Sequence, residues 1–439
     1  MSINKLILST MCGSLLGVFT FQGDAHAYRN TFGTLDNDRC AIFDDSERPD
    51  VSLPYGSGHP MVDFFVPDRS KGSPTPDLWT GDTISVATGT PTYHKGHLGG
   101  NVWYITEGVY QMMVIVGDSA VIVVDAPPSI GMDLNAGPFG SDVNVTIPEI
   151  VAEITDNPIT KLIYSHSHFD HIGAAGVIKE AFPDVLIIAH KLTKEQLEFG
   201  GRNPNFLQPR PMIPLPDVPL PDQTFGKSRN LALGKFATRL ELRYKGPAHE
   251  PGNIFIYQPH QKILMMIDIV FPRLSPFELL ALAEDTGSYL RAYDQILEYD
   301  FDVLIAGHLN KLGDRSDVEE ARGYMQDILT NSKLALDPFD PLDPNTFPLG
   351  ISGPTFFGTF VDAAFIPGPT QTVDPANGLG VFSLYLNQAA CKCANLTLNP
   401  ATTPSGIDWR KQIGTADVNT VSHCWKMIET LRVEPGFDS

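Results

Sequence analysis

The chain has 439 residues, with 31 Lys and Arg against 51 Asp and Glu, and a formal charge of −20 at pH 7. An apolar share of 42% and a charged share of 19% are the balance of an ordinary globular protein, and Gly 38 with Pro 36 excludes collagen-like and low-complexity chains. The acidic balance and the lack of a clustered Lys/Arg surface argue against nucleic acid as a partner.

The first 27 residues have the pattern of a leader. Lys5 precedes the apolar run Leu6–Phe21, and Ala25-His26-Ala27 ends it with small residues, so cleavage is expected after Ala27 and the protein is expected to be secreted or periplasmic. The run is interrupted by Ser, Thr and Gly and falls short of the ~18–20 apolar residues of a membrane anchor. No later segment is long and apolar enough, so no membrane association is expected once the leader is removed. Cys12 would leave with the leader. Cys40, Cys391, Cys393 and Cys424 would remain, and in an oxidising compartment they read as disulfides with three possible pairings.

Residues 28–95 are rich in Pro, Gly, Ser and Asp and read as an irregular N-terminal extension. From 96 to 336 strands and helices alternate. Val102–Ile105, Tyr110–Val116 and Ala120–Val124 are β-rich runs separated by turn signals. Ile147–Thr155 has helical spacing, Lys161–Tyr164 is a short buried strand, Gly173–Ala181 a helix and Val185–Ala189 another strand. Pro209–Pro221 holds too many prolines for regular structure and reads as a loop or lid, with Phe206, Met212, Ile213 and Leu215 as a candidate apolar lining. Strands return at Ala237–Tyr244, Asn253–Tyr257 and Lys262–Ile267. Leu279–Tyr299 reads as one amphipathic helix, Asp302–Ala306 as a strand and Arg315–Leu334 as a helix. Residues 337–439 open with a Pro/Asp-rich linker and end in short helical pieces, a mainly helical C-terminal extension.

The histidines carry the chemistry. The run His166-Ser167-His168-Phe169-Asp170-His171 is an H-x-H-x-D-H motif, and it follows a buried strand and precedes a helix rich in small residues. A turn there can splay alternate imidazoles toward one metal and send Asp170 and His171 toward a second. Imidazole and carboxylate donors suit Zn, and also Fe or Mn. His59, His94, His97, His190, His260 and His423 stand in no motif and read as ordinary residues, with His97 or His190 as candidate supports beside the ligands.

This motif resembles the signature of the metallo-β-lactamase fold superfamily, and three further stretches resemble it in order. They are Gly246-Pro247-Ala248-His249-Glu250-Pro251-Gly252, the strand Ile263–Ile267 ending at Asp268, and the strand Val303–Ala306 ending at Gly307-His308. Ile122–Asp125 also fits, so the resemblance covers roughly 96–335. It implies an α/β fold, a four-layer αββα sandwich flanked by the two extensions. It implies two Zn2+ per chain, the first held by His166, His168 and His249, the second by Asp170, His171 and His308, with Asp268 between them. Asp170 and His308 would sit closest to the reacting bond.

The resemblance also implies a zinc-dependent hydrolase of a small-molecule substrate, in which a metal-bound hydroxide attacks a lactone or small ester carbonyl. A β-lactam is the alternative, and sulfate or phosphate ester hydrolysis and a non-catalytic metal-binding role rank lower. Lactonases of the superfamily carry Tyr three residues after the bridging Asp. Phe271 stands there in this chain, which leaves Tyr104 or Tyr110 to replace the missing hydroxyl.

Overall fold

The computed structural model describes residues 93–106, 110–128, 145–203, 216–233, 238–308, 311–336 and 375–433. The leader, most of the N-terminal extension with Cys12 and Cys40, the candidate lining Phe206, Met212, Ile213 and Leu215, and the linker after 336 lie outside them.

Two mixed sheets pack face to face. The first runs in the order β1 (His94–Gly99), β2 (Val102–Thr106), β3 (Gln111–Val116), β4 (Val121–Val124), β5 (Ile159–Ile163), β6 (Leu186–His190), β7 (Gln223–Phe225). Its first four strands are antiparallel neighbours, and β4 to β7 run parallel. The second comprises β8 (Ser228–Leu233), β9 (Thr238–Arg243), β10 (Phe255–Gln258), β11 (Ile263–Met265) and β12 (Val303–Ile305), ordered 12-11-10-9-8. Only its β11–β12 pair is parallel.

Strand alternation explains the layering, because successive side chains leave a strand on opposite faces. Met113, Ile115, Ile122, Val124, Ile163 and Ile188 point from the first sheet into a core shared with Leu240, Leu242, Ile256, Ile263, Met265 and Ile305 of the second. The neighbours Met112, Val114, Val121, Val123, Leu162 and Ile187 face the other way. They pack under α1 (Ile147–Ala152), α3 (Ala175–Ala181) and α4 (Lys191–Gly200). Helix α2 (Phe169–Ile172) is a single turn between β5 and α3. Thr146 starts α1 with a capping box, its hydroxyl accepting from the Glu149 N–H while the Glu149 carboxylate accepts from the Thr146 N–H.

On the outer face of the second sheet, Phe255, Leu264 and Leu304 meet α5 (Thr286–Leu297) and α6 (Arg315–Leu336). The same cluster continues into α7 (Pro375–Leu398), α8 (Trp409–Gln412) and α9 (Ala416–Val433), so its packing crosses position 336 without a break. Asp327 of α6 fixes the junction: its buried carboxylate accepts from Trp409 Nε1 at 2.7 Å and Thr403 Oγ1 at 2.9 Å. A disulfide joins Cys393 of α7 to Cys424 of α9. Cys391 is disulfide-bonded as well, to a residue outside those described.

Three expectations change. β1 begins at His94, inside the stretch read as irregular, while α4, β7 and β8 stand where no element was assigned from the sequence. The C-terminal pieces are helices of 24 and 18 residues rather than short ones. Leu279–Tyr299 is not one helix either. It opens with a turn, Glu278–Leu282, whose residues Leu279, Leu280, Ala281 and Leu282 have φ between 55 and 61°, before α5 begins at Thr286. Left-handed backbone costs a residue with a Cβ about 1–2 kcal/mol, so surrounding contacts must hold the turn.

Candidate metal centre

The candidate ligands sit where strands of both sheets end. β5 leaves its sheet at Ile163 and delivers His166, His168, Asp170 and His171 within one loop and the first turn of α2. β11 ends before Asp268 and β12 before His308, while His249 comes from the loop between β9 and β10. These ends are bent by unusual backbone: Asp125, Asp268 and Gly307 have φ of 63, 66 and 96°. Gly307 is needed twice over, since a Cβ there would also approach Ile267 Cγ2 to 2.6 Å.

All seven residues expected from the sequence converge. His166, His168, His249 and Asp268 form one group and Asp170, His171 and His308 another, with the donor atoms of each within 4.8 Å of one another. Asp268 joins the groups. Its Oδ2 lies 3.2 Å from His166 Nε2 and 3.3 Å from His249 Nε2, and its Oδ1 lies 3.2 Å from His171 Nε2 and 2.8 Å from His308 Nε2. Within the groups, His249 Nε2 is 3.0 Å from His168 Nδ1, and His171 Nε2 is 3.2 Å from His308 Nε2. Asp170 stands at the edge, its Oδ2 3.5 Å from His171 Nε2 and 3.8 Å from His308 Nε2.

The electrostatics follow from burial. Desolvation holds His166 and His168 below the usual imidazole range and pushes His249 down to about 3, so these three stay neutral with a lone pair to offer. Burial would lower His171 too, but the carboxylates of Asp268 and Asp170 outweigh it and raise His171 to about 10. Burial would raise Asp268, yet His171 and His308 beside it hold its carboxyl well below the usual range.

A divalent cation fits this donor set. His166 Nε2 and Asp268 Oδ1 are buried at its centre, and neither has a hydrogen-bond partner of good geometry within the protein. Imidazole nitrogens 3.0–3.2 Å apart and turned toward a shared carboxylate are the arrangement a common ion satisfies.

Several supporting residues were not assigned a role from the sequence. Glu250, buried beside His249, clasps the loop between His166 and His168: its carboxylate accepts from the Ser167 N–H and Oγ–H, both at 3.2 Å, and from the Gly252 N–H at 3.0 Å. Gln111 Oε1 accepts from the Ala306 N–H at 3.2 Å and so fixes the end of β12. Asp125 accepts from the Ser165 N–H at 2.8 Å, and burial pushes its carboxyl up to about 7. The only advance signal was position, since Glu250 and Asp125 lie inside stretches already singled out for their neighbours.

His168, Asp170, His249, Asp268 and His308 form the floor of a cleft of about 1050 Å³, with His166 and His171 buried behind them. Tyr110 lines it, with its ring centre 5.0 Å from that of His308, and Phe271 stacks on His308 from 5.5 Å. Tyr104 is buried between the sheets, so of the two candidate tyrosines only Tyr110 reaches the site. His97 packs on Trp103, and His190 packs on Tyr244 and accepts from the Leu192 N–H at the start of α4, both away from the cleft. One wall comes from Phe277 with Glu278, Ala281 and Leu282 of the left-handed turn, and from Thr415 with Val418 and Asn419 of α9.

Residues 105–308 match the family description "Metallo-beta-lactamase superfamily". Among characterised proteins, the chain is 29% identical over 217 residues to the 2,4-dinitroanisole O-demethylase subunit alpha of a Nocardioides species (strain JS1661). That match takes in 49% of this chain and 57% of the relative, so the chain spans little more than half of the relative's length. Similar solved structures include a metallo-beta-lactamase from Pontibacter korlensis, at 18% identity and TM-score 0.39 over 52% of this chain and 97% of that one. The DIM-1 metallo-beta-lactamase is 19% identical, with TM-score 0.39 over 53% of this chain and 96% of that one. The matched stretch, 105–308, contains all seven residues of the His/Asp cluster and most strands of the two mixed sheets, so the part of the chain that resembles the metallo-β-lactamase superfamily is the part that builds the candidate metal centre.

Proposed function

We propose that the protein is an exported metal-dependent hydrolase of a small uncharged ester or lactone. The observation that carries this reading is the single carboxylate of Asp268, which faces both ligand groups at the floor of an open cleft. His166, His168 and His249 would hold one ion and Asp170, His171 and His308 a second, with zinc the metal best suited to the donors. A divalent metal there supplies Lewis acidity toward a carbonyl oxygen and lowers the pKa of coordinated water to about 7.

The chain's own residues do the rest. Asp170 faces the cleft with its carboxylate half-exposed, and it takes up the proton that the attacking water gives away and returns it to the leaving oxygen at Oδ2. Glu250 keeps the two imidazoles of the first loop in register. Tyr110 and Phe271 flank His308 and press the substrate against the floor.

The cleft also ranks the substrates. Among the described lining residues there is no Lys or Arg, while Asp170, Glu250, Asp268, Glu278 and Glu284 all line it. The two ions would themselves counter an anion on the floor, but a second anionic group beyond it would meet Glu278 and Glu284 with no Lys or Arg among the described lining residues, which sets carboxylate-bearing β-lactams behind neutral esters and lactones. A second reading is cleavage of an activated aryl ether, as in the name of the Nocardioides relative, and the aromatic lining of Tyr110, Phe169, Phe271 and Phe277 favours it. Export is supported by the leader-like residues 1–27 and by the Cys393–Cys424 disulfide.

The test is hydrolysis of decanoyl lactone, 4-nitrophenyl acetate and 2,4-dinitroanisole by zinc-loaded protein, with His168→Ala as blank. Metal-dependent turnover of the first two is the expected result. Turnover of the ether alone selects the second reading, and full activity in His168→Ala would end the metal mechanism.

A further inference from the structure

The cleft has one wall that the matched family region does not supply. Residues 105–308 contain the left-handed turn at 278–282, but α9, which backs it, begins at Ala416. The backing is a row of polar contacts. Leu279 N–H donates to Ser422 Oγ at 3.2 Å, His423 Nε2 donates to the Phe277 carbonyl at 3.0 Å, and Asn419 Nδ2 donates to the Pro276 carbonyl at 3.0 Å. Asn419 also donates to Ser275 Oγ at 3.1 Å, and Ser275 N–H donates to the Gly414 carbonyl at 2.9 Å. Cys424, next along α9, is pinned to α7 by its disulfide.

Strained backbone held this tightly beside a reactive centre has a use. These hydrogen bonds tie the backbone of the turn to polar side chains of α9, and apolar side chains of both elements reach the cleft beside Glu278. Among the described residues six large apolar side chains are exposed. Three of them, Phe277 at 54%, Leu282 at 53% and Val418 at 58%, line this cleft. Scattered apolar residues on a surface need no explanation, but their concentration around one cleft marks a binding surface.

We infer that the left-handed turn and α9 form the specificity wall of this enzyme, and that it receives an uncharged apolar group of the substrate, an acyl chain or an aryl ring, while the scissile bond rests on the metal-ligand floor. The inference rests on the hydrolase reading for the scissile bond but not for the apolar group. Glu278 and Glu284 at the same cleft exclude a carboxylate-tipped tail. Phe277 and Leu282 come from the segment of the turn and Val418 from α9, so both elements contribute exposed apolar surface to the same cleft.

The experiment uses the full chain loaded with zinc and compares the wild type with Leu282→Ser/Val418→Ser, with Val418→Thr, and with Leu334→Ser, an exposed apolar residue that does not line the cleft. Two quantities are read: the ratio of kcat/KM for 4-nitrophenyl decanoate over 4-nitrophenyl acetate, and the Kd of the neutral fluorophore N-phenyl-1-naphthylamine. The double variant is expected to lower the ratio about 10-fold and to weaken the fluorophore by a similar factor. Val418→Thr, which keeps the side chain's shape, moves both the same way by less, and Leu334→Ser matches the wild type. An unchanged ratio and Kd in the double variant would overturn the wall. A wild type that hydrolyses neither ester, with fluorophore binding lost in the double variant, would keep the wall and discard the ester-hydrolase reading.

Discussion

The floor and the wall of the cleft are built by opposite strategies. The floor is local: four of its seven candidate ligands come from six consecutive residues, and the others stand at strand or loop ends that the β-sandwich brings together. The wall is long-range: residues near 280 adopt a conformation that their own sequence disfavours because a helix more than 130 positions later holds them, as in the Leu279–Ser422 contact across 143 residues. A metal centre assembled from neighbours can be kept intact while its substrate wall is varied from a distance. The two parts should therefore fail separately when perturbed.

The largest effect is expected at the floor. Asp170→Ala should lower kcat/KM for an ester by about 10³-fold, since proton transfer by a positioned carboxylate typically contributes 10²–10⁴-fold. Steady-state rates measured beside bound-metal content check it. Loss of metal without loss of rate would remove Asp170 from the chemistry.

The wall's counterpart is the disulfide. Cys393 and Cys424 are 31 residues apart, and closing such a loop stabilises a fold by roughly 3–4 kcal/mol. Cys393→Ala/Cys424→Ala should lower stability in denaturant titrations by about that amount and loosen α9, while metal binding at the floor persists in the folded protein. Loss of metal in a folded variant would mean that floor and wall are one unit.

Glu250→Gln is a finer test of the floor. It keeps the size of the side chain but weakens the acceptance from Ser167, and residues that orient metal ligands typically contribute 10–100-fold in metal affinity. Zinc affinity read by competition with a chelating dye should fall by about 10-fold, and rescue to wild-type affinity in Glu250→Gln would assign Glu250 to packing alone.

The smallest effect is in pH. Burial depresses His423 from its ordinary 6.5 to about 4, so the folded wall holds a neutral imidazole, with Nε2 donating to the Phe277 carbonyl and Nδ1 facing the Tyr324 hydroxyl. An unfolded chain takes up the proton first as pH falls. The contribution of His423 is therefore present above pH 6.5 and is lost as pH falls toward 4. Stability measured across that window should drop in the wild type and drop less in His423→Gln. Equal slopes would mean that other groups dominate.

The same division explains what could be read in advance. His166, His168, Asp170 and His171 were legible because their spacing is itself the signal, and His249, Asp268 and His308 because the stretches around them resemble the superfamily's later motifs in order. Strands such as Val121–Val124 were legible as short β-rich apolar runs between turn signals. The wall was not legible. Leu279–Leu282 has helical apolar spacing and no glycine, and nothing in such a run reports left-handedness when the cause sits at Ser422 and His423. Helix α9 was read as a fragment for a related reason: Asn419, Thr420, Ser422 and His423 are buried polar residues whose partners lie in other elements, so they interrupt the apolar period that marks a helix. Glu250 carried no signal of its own, because two of its three donors belong to Ser167, 83 residues earlier in the chain.

The most direct test of the account is metal stoichiometry in the Asp268→Ala variant. Mass spectrometry of the wild type and the variant, each dialysed against the same zinc buffer, reads it without reference to any substrate. The account predicts that removing this one carboxylate lowers the affinity of both ligand groups together, because Oδ2 faces one and Oδ1 the other. A variant that keeps the wild-type metal content and the wild-type rate would contradict it.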